Sequence, residues 1–297
     1  MRRDYALIRS WLFVPADSEH KLARGWQSGA DALIVDLEDA VASENKVAAR
    51  AVARTAIAAA MRGTTVVAIR VNALDTGLTF ADLAETVSCR PDVYVLPKIM
   101  APDDIRSVSR RIGELEAQYG FEVGGIRIVP IATEHPRAVR DIDALCRADP
   151  RTAAVMCGTE DLAAAIGARR IKDADGTMLD VFRVARALTL LAASAAELPA
   201  IDTPVVELDA LDVVEKESAA AAAMGFAGKL AVHPAQIARI NKGFMPSADE
   251  AEYARALLDA TRVSAGAVRF RGKMIDAPHI RIARRIVALV DAHGSGT

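Results

Sequence analysis

The regular alternation of short apolar runs with segments of helical periodicity is the feature that most constrains the fold of this chain. The runs are rich in β-branched residues, and each is followed by an amphipathic or alanine-rich segment. Strands that alternate with helices imply a parallel sheet. The eight runs are 12–14, 32–35, 65–71, 92–96, 126–132, 153–157, 200–206 and 228–232.

Eight such units in a row predict a TIM barrel, an α/β fold of about 250 residues, and the chain has 297. An open doubly wound sheet is the alternative, but no glycine-rich dinucleotide fingerprint follows the first run. Pro130 lies inside the fifth run and would need a bulge there. The helices expected between the runs are about 18–27, 45–61, 79–88, 102–119, 136–147, 178–197 and 211–224.

The last part of the chain is too short for a separate domain. We expect a barrel domain over 1–242 and a C-terminal helical extension or lid over 243–297. The extension should contain a helix at about 248–264, begun by Ser247 with Glu250 as its capping-box partner. A loop over 265–277 and a final helix over 278–293 should follow it.

Composition excludes several classes of protein. The net charge is only -2, so there is no basic field for nucleic acid. Cys89, Cys146 and Cys157 are scattered and form no metal-ligand pair, which is typical of a reduced, cytoplasmic protein. We also expect no signal peptide and no membrane span, because the apolar part of the N-terminus is interrupted by Arg9.

Polar side chains follow nearly every predicted strand, on the face where a TIM barrel builds its active site. The second run ends in the acids Asp36, Glu38 and Asp39, which would repel one another unless a cation or hydrogen-bond donors offset them. A solvated turn before a helix is the simpler interpretation of these acids. The other strand-end polar residues are Arg70, Asn72, Lys98, Glu134, Asp161, Asp202 and His233.

Glu134 and Asp161 follow consecutive strands and can therefore lie side by side. Two carboxylates that leave room for waters and substrate are typical of Mg²⁺ sites, and Mn²⁺ suits the same oxygen ligands. Each acid alone could equally be a helix cap or a surface acid. Arg70 offers a fork for a carboxylate, or it forms an ion pair with the acidic cluster.

Several ordered motifs resemble the citrate lyase β-subunit-like group of the HpcH/HpaI aldolase superfamily. This group includes malyl-CoA, β-methylmalyl-CoA and citramalyl-CoA lyases. Each motif alone is weak, but the ordered set is specific and spans nearly the whole chain. The motifs are RSWLFVP (9–15), DLEDAV (36–41), IRVN (69–72), LPK (96–98), Glu134, GTED (158–161), AID (200–202) and MGFAGKLAVHPAQI (224–237).

The resemblance implies a role for several of these residues. Glu134 and Asp161 would bind Mg²⁺, and Glu38 and Asp39 would hold metal-bound waters. Arg70 would grip the carboxylate of a 2-oxo or 2-hydroxy acid. Arg24 would match a basic position that contacts the phosphate of coenzyme A.

The segment FRGKMIDAPHI (270–280) looks like the end of the CoA-ester lyases, in which a lid aspartate from a neighbouring subunit is the catalytic acid or base. Asp276 matches that aspartate. The resemblance therefore implies a free CoA thioester, a 2-oxo acid and a homotrimer or homohexamer with Asp276 acting in trans. One departure is the loop after Glu134, His135-Pro136-Arg137, where the family usually has smaller residues.

We therefore expect Mg²⁺-dependent cleavage of a 3-hydroxyacyl-CoA, such as citramalyl-CoA or a malyl-CoA, into a 2-oxo acid and an acyl-CoA. Two other enzyme activities stay open: a CoA-independent class II 2-oxo acid aldolase, and a malyl-CoA-type thioesterase. A non-catalytic binding protein on a barrel scaffold would have no need for the lid aspartate.

Overall fold

The computed structural model describes residues 3–262 and 268–294. Eight parallel strands form one sheet in the order β5-β4-β3-β2-β1-β8-β7-β6. The strands are β1 (Ser10–Pro15), β2 (Ala32–Asp36), β3 (Val66–Arg70), β4 (Val93–Leu96), β5 (Arg127–Pro130), β6 (Val155–Met156), β7 (Ala200–Asp202) and β8 (Gly228–Ala231).

Two parallel bridges join the ends of the sheet and close it into a barrel. Ile128 pairs with Thr152, and Ile131 pairs with Met156, across the seam between β5 and β6. The prediction of a TIM barrel is confirmed. Pro130 lies opposite Leu96 of β4, in the part of β5 where pairing with β6 is reduced to these two bridges. The missing N–H of proline therefore falls at the seam of the barrel.

Twelve helices accompany the strands in the described residues, and most agree with the predicted segments. The helices are α1 (Glu19–Trp26), α2 (Lys46–Ala59), α3 (Thr79–Thr86), α4 (Pro102–Gln118), α5 (Pro136–Arg140), α6 (Ile142–Cys146), α7 (Glu160–Ile166), α8 (Asp180–Ala195), α9 (Leu211–Met224), α10 (Ile237–Phe244), α11 (Ala248–Thr261) and α12 (Ala277–His293). Among the helices of residues 3–262 and 268–294, none is both long enough and apolar enough to cross a bilayer.

Three local differences from the predicted elements have simple causes, and a fourth is the unpredicted α10 after β8. The helix expected over 136–147 is broken at Asp141, which caps α5 at its end and α6 at its start. The unpredicted α7 begins with Glu160 and ends at Gly167, whose φ of 70° suits a helix C-terminus. The expected loop over 265–277 contains an antiparallel hairpin, β9 (Val268–Phe270) and β10 (Lys273–Ile275). Residues 263–267 lie outside the described part.

The strands are buried on both faces, as their continuous apolar runs require. Alternate residues point into the barrel, where Ile34, Ala68 and Val95 belong to one cluster with Trp11. Their neighbours, such as Leu33, pack outward against the helices. This two-sided core fixes which side chains reach the carboxyl end of the barrel.

The C-terminal extension packs around its own small core and across the amino-terminal end of the barrel. Leu257 of α11, Ile275 of β10 and Ala283 of α12 are buried together. On α12, Arg285 donates to the carbonyls of Gly225 and Phe226, which precede β8. The end of α12 therefore lies on the face of the barrel opposite to the strand ends that carry the acids.

Candidate active site

Asp36 and Arg70 form the central ion pair at the carboxyl end of the barrel. They are the last residues of β2 and β3, and the parallel register sets them side by side. Arg70 Nε and Nη2 lie 2.7 Å and 2.6 Å from the two carboxylate oxygens of Asp36. The guanidinium also stacks 4.5 Å above the ring centroid of Phe13. Burial lowers the pKa of Arg70, but the charge and hydrogen bonds of Asp36, together with the charges of Glu38 and Glu134, raise it above its ordinary value overall.

The ion pair with Asp36 uses two of the three guanidinium nitrogens of Arg70, Nε and Nη2. The remaining nitrogen, Nη1, lies 3.0 Å from Glu38 Oε2. Glu38 is almost fully buried, and its Oε2 has no hydrogen-bond partner. Burial raises the pKa of Glu38 above its ordinary value, although Arg70 and Lys98 offset part of this effect. The structure therefore realises the ion-pair interpretation of Arg70, whose guanidinium nitrogens face Asp36 and Glu38.

Lys98 connects three acids that follow two different strands, β2 and β6. Its Nζ lies 2.7 Å from Glu38 Oε1, 2.8 Å from Asp39 Oδ2 and 3.7 Å from Asp161 Oδ1. For Asp39, burial raises the pKa, but the ammonium of Lys98 outweighs burial and lowers it overall. Lys98 and Arg70 together therefore supply the cations that the acidic cluster requires.

Glu134 is the most deeply buried of the carboxylates predicted to bind a metal. It is 5% exposed and accepts a hydrogen bond from the backbone N–H of Lys98. Burial raises its pKa well above the ordinary value of 4.5, and the Lys98 N–H and the charge of Arg70 offset only part of that effect. The nearby charges of Glu38 and Asp161 add to the rise. A cation beside Glu134 would relieve this energetic cost.

Asp161 lies in the first turn of α7, and its side chain is 36% exposed. It contributes to the raised pKa of Glu134, which places the two carboxylates in the same electrostatic neighbourhood. The structure therefore brings together Arg70, Glu134 and Asp161 with Glu38 and Asp39, as the sequence predicts.

Arg24 and Asp276 lie apart from this group. Arg24 is exposed on α1 and makes no side-chain ion pair in the described residues. Asp276 precedes α12, is half exposed, and has its Oδ1 2.6 Å from His279 Nδ1. Because α12 lies across the opposite face of the barrel, Asp276 has no described contact with the acids of its own chain.

Other polar residues at the strand ends belong to structural networks. Asn72 donates to Asp82, which also pairs with the buried Arg50. Asp202 pairs with Arg186 and with the buried Lys229. His135 and His233 both cap short helical segments through Nδ1. The unusual His135-Pro136 sequence therefore forms the start of α5.

The donor set fits Mg²⁺ chemically. Both candidate ligands, the buried Glu134 and the partly exposed Asp161, offer the carboxylate oxygens that Mg²⁺ prefers. No group of three His, Cys, Asp or Glu side chains suited to a metal occurs in residues 3–262 and 268–294. On the sequence prediction, the protein would supply Glu134 and Asp161 as ligands. Mg²⁺ commonly keeps several waters and binds through one or two carboxylates plus substrate.

The sequence placed Asp36 in the acidic cluster that could pair with Arg70, gave no role to Thr133 and left the role of Lys98 undecided. The opposite charges of Asp36 and Arg70 at the ends of adjacent parallel strands were a usable signal for their pairing. Lys98 and Thr133 act through hydrogen bonds that depend on backbone geometry, for which the sequence carries no comparable signal.

The fold and the site define a TIM-barrel enzyme with a carboxylate cluster at the carboxyl ends of its strands, and comparisons with known proteins agree. A family model described as HpcH/HpaI aldolase/citrate lyase matches residues 9–234. A citrate lyase subunit beta-like protein of Mycobacterium tuberculosis (strain CDC 1551 / Oshkosh) is 34% identical over 270 residues, which are 90% of each chain. The mitochondrial citramalyl-CoA lyase of Mus musculus is 31% identical over 96% of this chain and 86% of its own.

A solved structure is similar to this chain over almost its whole length. It is CitE from Mycobacterium tuberculosis in complex with magnesium, acetoacetate and coenzyme A. The TM-score is 0.80 at 30% identity, over 97% of this chain and 99% of that chain. The chain belongs to the HpcH/HpaI aldolase/citrate lyase family, and it is a lyase. The family resemblance read from the motifs is confirmed.

Proposed function

We propose that the protein is a Mg²⁺-dependent carbon–carbon lyase that cleaves a 3-hydroxyacyl-CoA into a 2-oxo acid and an acyl-CoA. The hydroxyl-bearing carbon of this substrate also carries a carboxylate, as in citramalyl-CoA and the malyl-CoA esters. The observation that carries the proposal is the convergence of Glu134 and Asp161 beside Arg70 and Lys98 at the open end of the barrel. Similarity to citramalyl-CoA lyase and to a CitE that binds magnesium and coenzyme A supports it.

Each residue has a distinct task in this proposal. Glu134 and Asp161 hold the metal, and Glu38 and Asp39 orient its waters through the contacts that Lys98 maintains. Arg70 Nη1, which lies 3.0 Å from Glu38, exchanges this partner for the substrate carboxylate. Asp36 keeps the guanidinium plane fixed through Nε and Nη2. When bound, Mg²⁺ supplies Lewis-acid stabilisation of the oxygen charge that develops during cleavage.

The remaining step is a proton transfer. The substrate hydroxyl gives its proton to solvent water and becomes the carbonyl of the 2-oxo acid as the carbon–carbon bond breaks. The electron pair of that bond moves to the carbon next to the thioester. Asp276 then gives a proton to that carbon, or removes it in the condensation direction. Arg24, exposed on α1, is proposed to contact a phosphate of coenzyme A.

We propose that Asp276 comes from another subunit and that residues 243–297 form a lid on that neighbour. The position of α12 across the far face of its own barrel supports action in trans. Self-association is also supported by α8, whose outer face carries Val181, Val184, Leu188 and Leu191, all exposed to solvent. An outer helix face is ordinarily polar, and an apolar one is typical of a subunit contact. A homotrimer or homohexamer would supply the neighbour.

The test is an assay with purified protein and Mg²⁺ on citramalyl-CoA, malyl-CoA and β-methylmalyl-CoA. The 2-oxo acid and the free thiol are measured separately. The proposal predicts pyruvate or glyoxylate without free thiol. Free thiol alone would show a thioesterase instead, and cleavage of a 4-hydroxy-2-oxo acid without coenzyme A would show a class II aldolase.

A further inference from the structure

A single hydroxyl joins the two strand ends that carry the proposed metal ligands. Thr133 Oγ1 accepts a hydrogen bond from the N–H of Gly158 and donates one to the carbonyl of Gly158, each at 2.8 Å. Thr133 is fully buried. It directly precedes Glu134, and Gly158 lies three residues before Asp161. We call this pair of hydrogen bonds the Thr133–Gly158 clasp.

Gly158 is required here for space. A Cβ atom at this position would lie 2.9 Å from Glu134 Cγ and 2.9 Å from Ile131 Cγ2. Its φ is not in the positive region, so another residue could adopt the same backbone conformation. The absent side chain therefore lets the β6 end approach the stem of Glu134 directly.

The clasp acts where the barrel is otherwise weakly joined. The seam between β5 and β6 contains only two isolated bridges, and the last of them is at Ile131. Beyond Ile131, backbone pairing is limited to the N–H of Ala132, which donates to Met156. The distance between the two strand ends at the level of Glu134 is therefore set largely by Thr133 and Gly158.

We infer that Thr133 and Gly158 are positioning residues that set the separation of Glu134 and Asp161 and hence the affinity for the divalent metal. The inference rests on the proposed function for the metal itself. Outer partners that orient metal ligands typically change metal affinity about 10- to 100-fold when they are removed. Thr133 touches neither metal nor substrate in this account and acts through the geometry of Glu134.

The test measures Mn²⁺ binding to the full-length protein without substrate. The electron paramagnetic resonance signal of free Mn²⁺ reports how much of the metal stays unbound. Thr133→Val removes the hydroxyl at nearly constant volume and should weaken binding about 10-fold or more. Thr133→Ser keeps the hydroxyl and should restore affinity close to that of wild type. Thr86→Val is the matched control, because Thr86 is equally buried and donates to a helix carbonyl at the end of α3, away from the carboxyl ends of the strands.

If the clasp only stabilises the fold and does not position the metal ligands, another result is expected. Thr133→Val and Thr86→Val would then lose thermal stability alike and bind Mn²⁺ like the wild type, which would overturn the inference. If Thr133→Val does not fold, Gly158→Ala, which displaces Glu134 instead of removing a hydrogen bond, is measured in its place. If neither variant folds, the clasp is required for folding and the inference is overturned as well.

Glu134→Gln separates this inference from the proposed function. Loss of binding in Glu134→Gln together with wild-type binding in Thr133→Val would reject the clasp alone. Wild-type protein that binds no Mn²⁺, or Glu134→Gln that binds it normally, would reject the proposed metal site and with it the clasp.

Discussion

Lys98 donates its backbone N–H to the buried carboxylate of Glu134 from a left-handed conformation, with φ at 50°. The same residue directs its ammonium to Glu38 and Asp39. One residue thus holds a proposed metal ligand with its backbone and the neighbouring acids with its side chain. A non-glycine residue in this region costs about 1–2 kcal/mol, and such strain is concentrated at functional sites.

Replacement of Lys98 by glycine and by alanine separates the backbone from the ammonium. Both variants lose the ammonium, and both should lose most activity because Glu38 and Asp39 lose their shared partner. Lys98→Gly should be more stable than Lys98→Ala by about 1 kcal/mol, because glycine adopts positive φ without cost. Urea unfolding measures the difference, and an equally stable or more stable alanine variant would contradict the strained backbone.

Mixed oligomers test whether Asp276 acts in trans. Asp276→Ala and Glu134→Gln should each be nearly inactive alone. After the two are unfolded together and refolded as a mixture, about a quarter of the sites in a cyclic oligomer should combine an intact Glu134 with an intact neighbouring Asp276. Activity should return to about that fraction of wild type.

The control for this experiment is each variant refolded alone, which should stay inactive. If Asp276 served the site of its own chain, the mixture would also stay inactive, because no chain would carry both intact residues.

The buried pair of Asp202 and Lys229 predicts a specific acid sensitivity. Burial raises the pKa of Asp202, but Lys229 and Arg186 outweigh burial and hold it below its ordinary value of 3.8. The stabilisation is therefore complete above pH 4 and is lost as the pH falls through the lowered pKa. At pH 7, Asp202→Asn should lower the free energy of unfolding by about 3–5 kcal/mol, because Lys229 stays buried without a full partner.

Urea unfolding at pH 7, 4 and 3 checks this prediction. The difference in the free energy of unfolding between wild type and Asp202→Asn should become smaller only at the lowest pH. Asp143→Asn, which breaks an exposed ion pair with Arg147, should change stability by less than about 1 kcal/mol. A gap for Asp202→Asn that stays constant from pH 7 to 3 would exclude a lowered pKa in the folded protein.

The three cysteines should be inert in the native protein. Cys89, Cys146 and Cys157 are all buried and free. Burial raises the pKa of Cys89 and Cys157 to about 11 and that of Cys146 to about 12, so almost no thiolate exists at pH 8. A thiol reagent at pH 8 should react with none before unfolding and with all three afterwards, whereas a fast native reaction would point to an exposed nucleophile.

The sequence predicted the barrel because the strands are continuous apolar runs. It also predicted that Glu134 and Asp161 lie near each other, because they follow adjacent strands. The pairing of Arg70 with Asp36 was open, since a strand-end arginine can bind either a substrate or a neighbouring acid. The left-handed backbone of Lys98 and the contact of Gly158 with Glu134 depend on three-dimensional approach that no local pattern encodes. The position of α12 on the far face likewise follows from tertiary contacts of Arg285 and His293.

The central claim is that a divalent metal held by Glu134 and Asp161 is required for the cleavage, and metal removal tests it most directly. Protein treated with a chelator and dialysed should release no 2-oxo acid from its preferred thioester, and Mg²⁺ should restore the rate in a saturable way. Glu134→Gln and Asp161→Asn should need far more Mg²⁺ or fail to respond. Full cleavage by metal-free protein, or an unchanged Mg²⁺ requirement in both variants, would contradict the account.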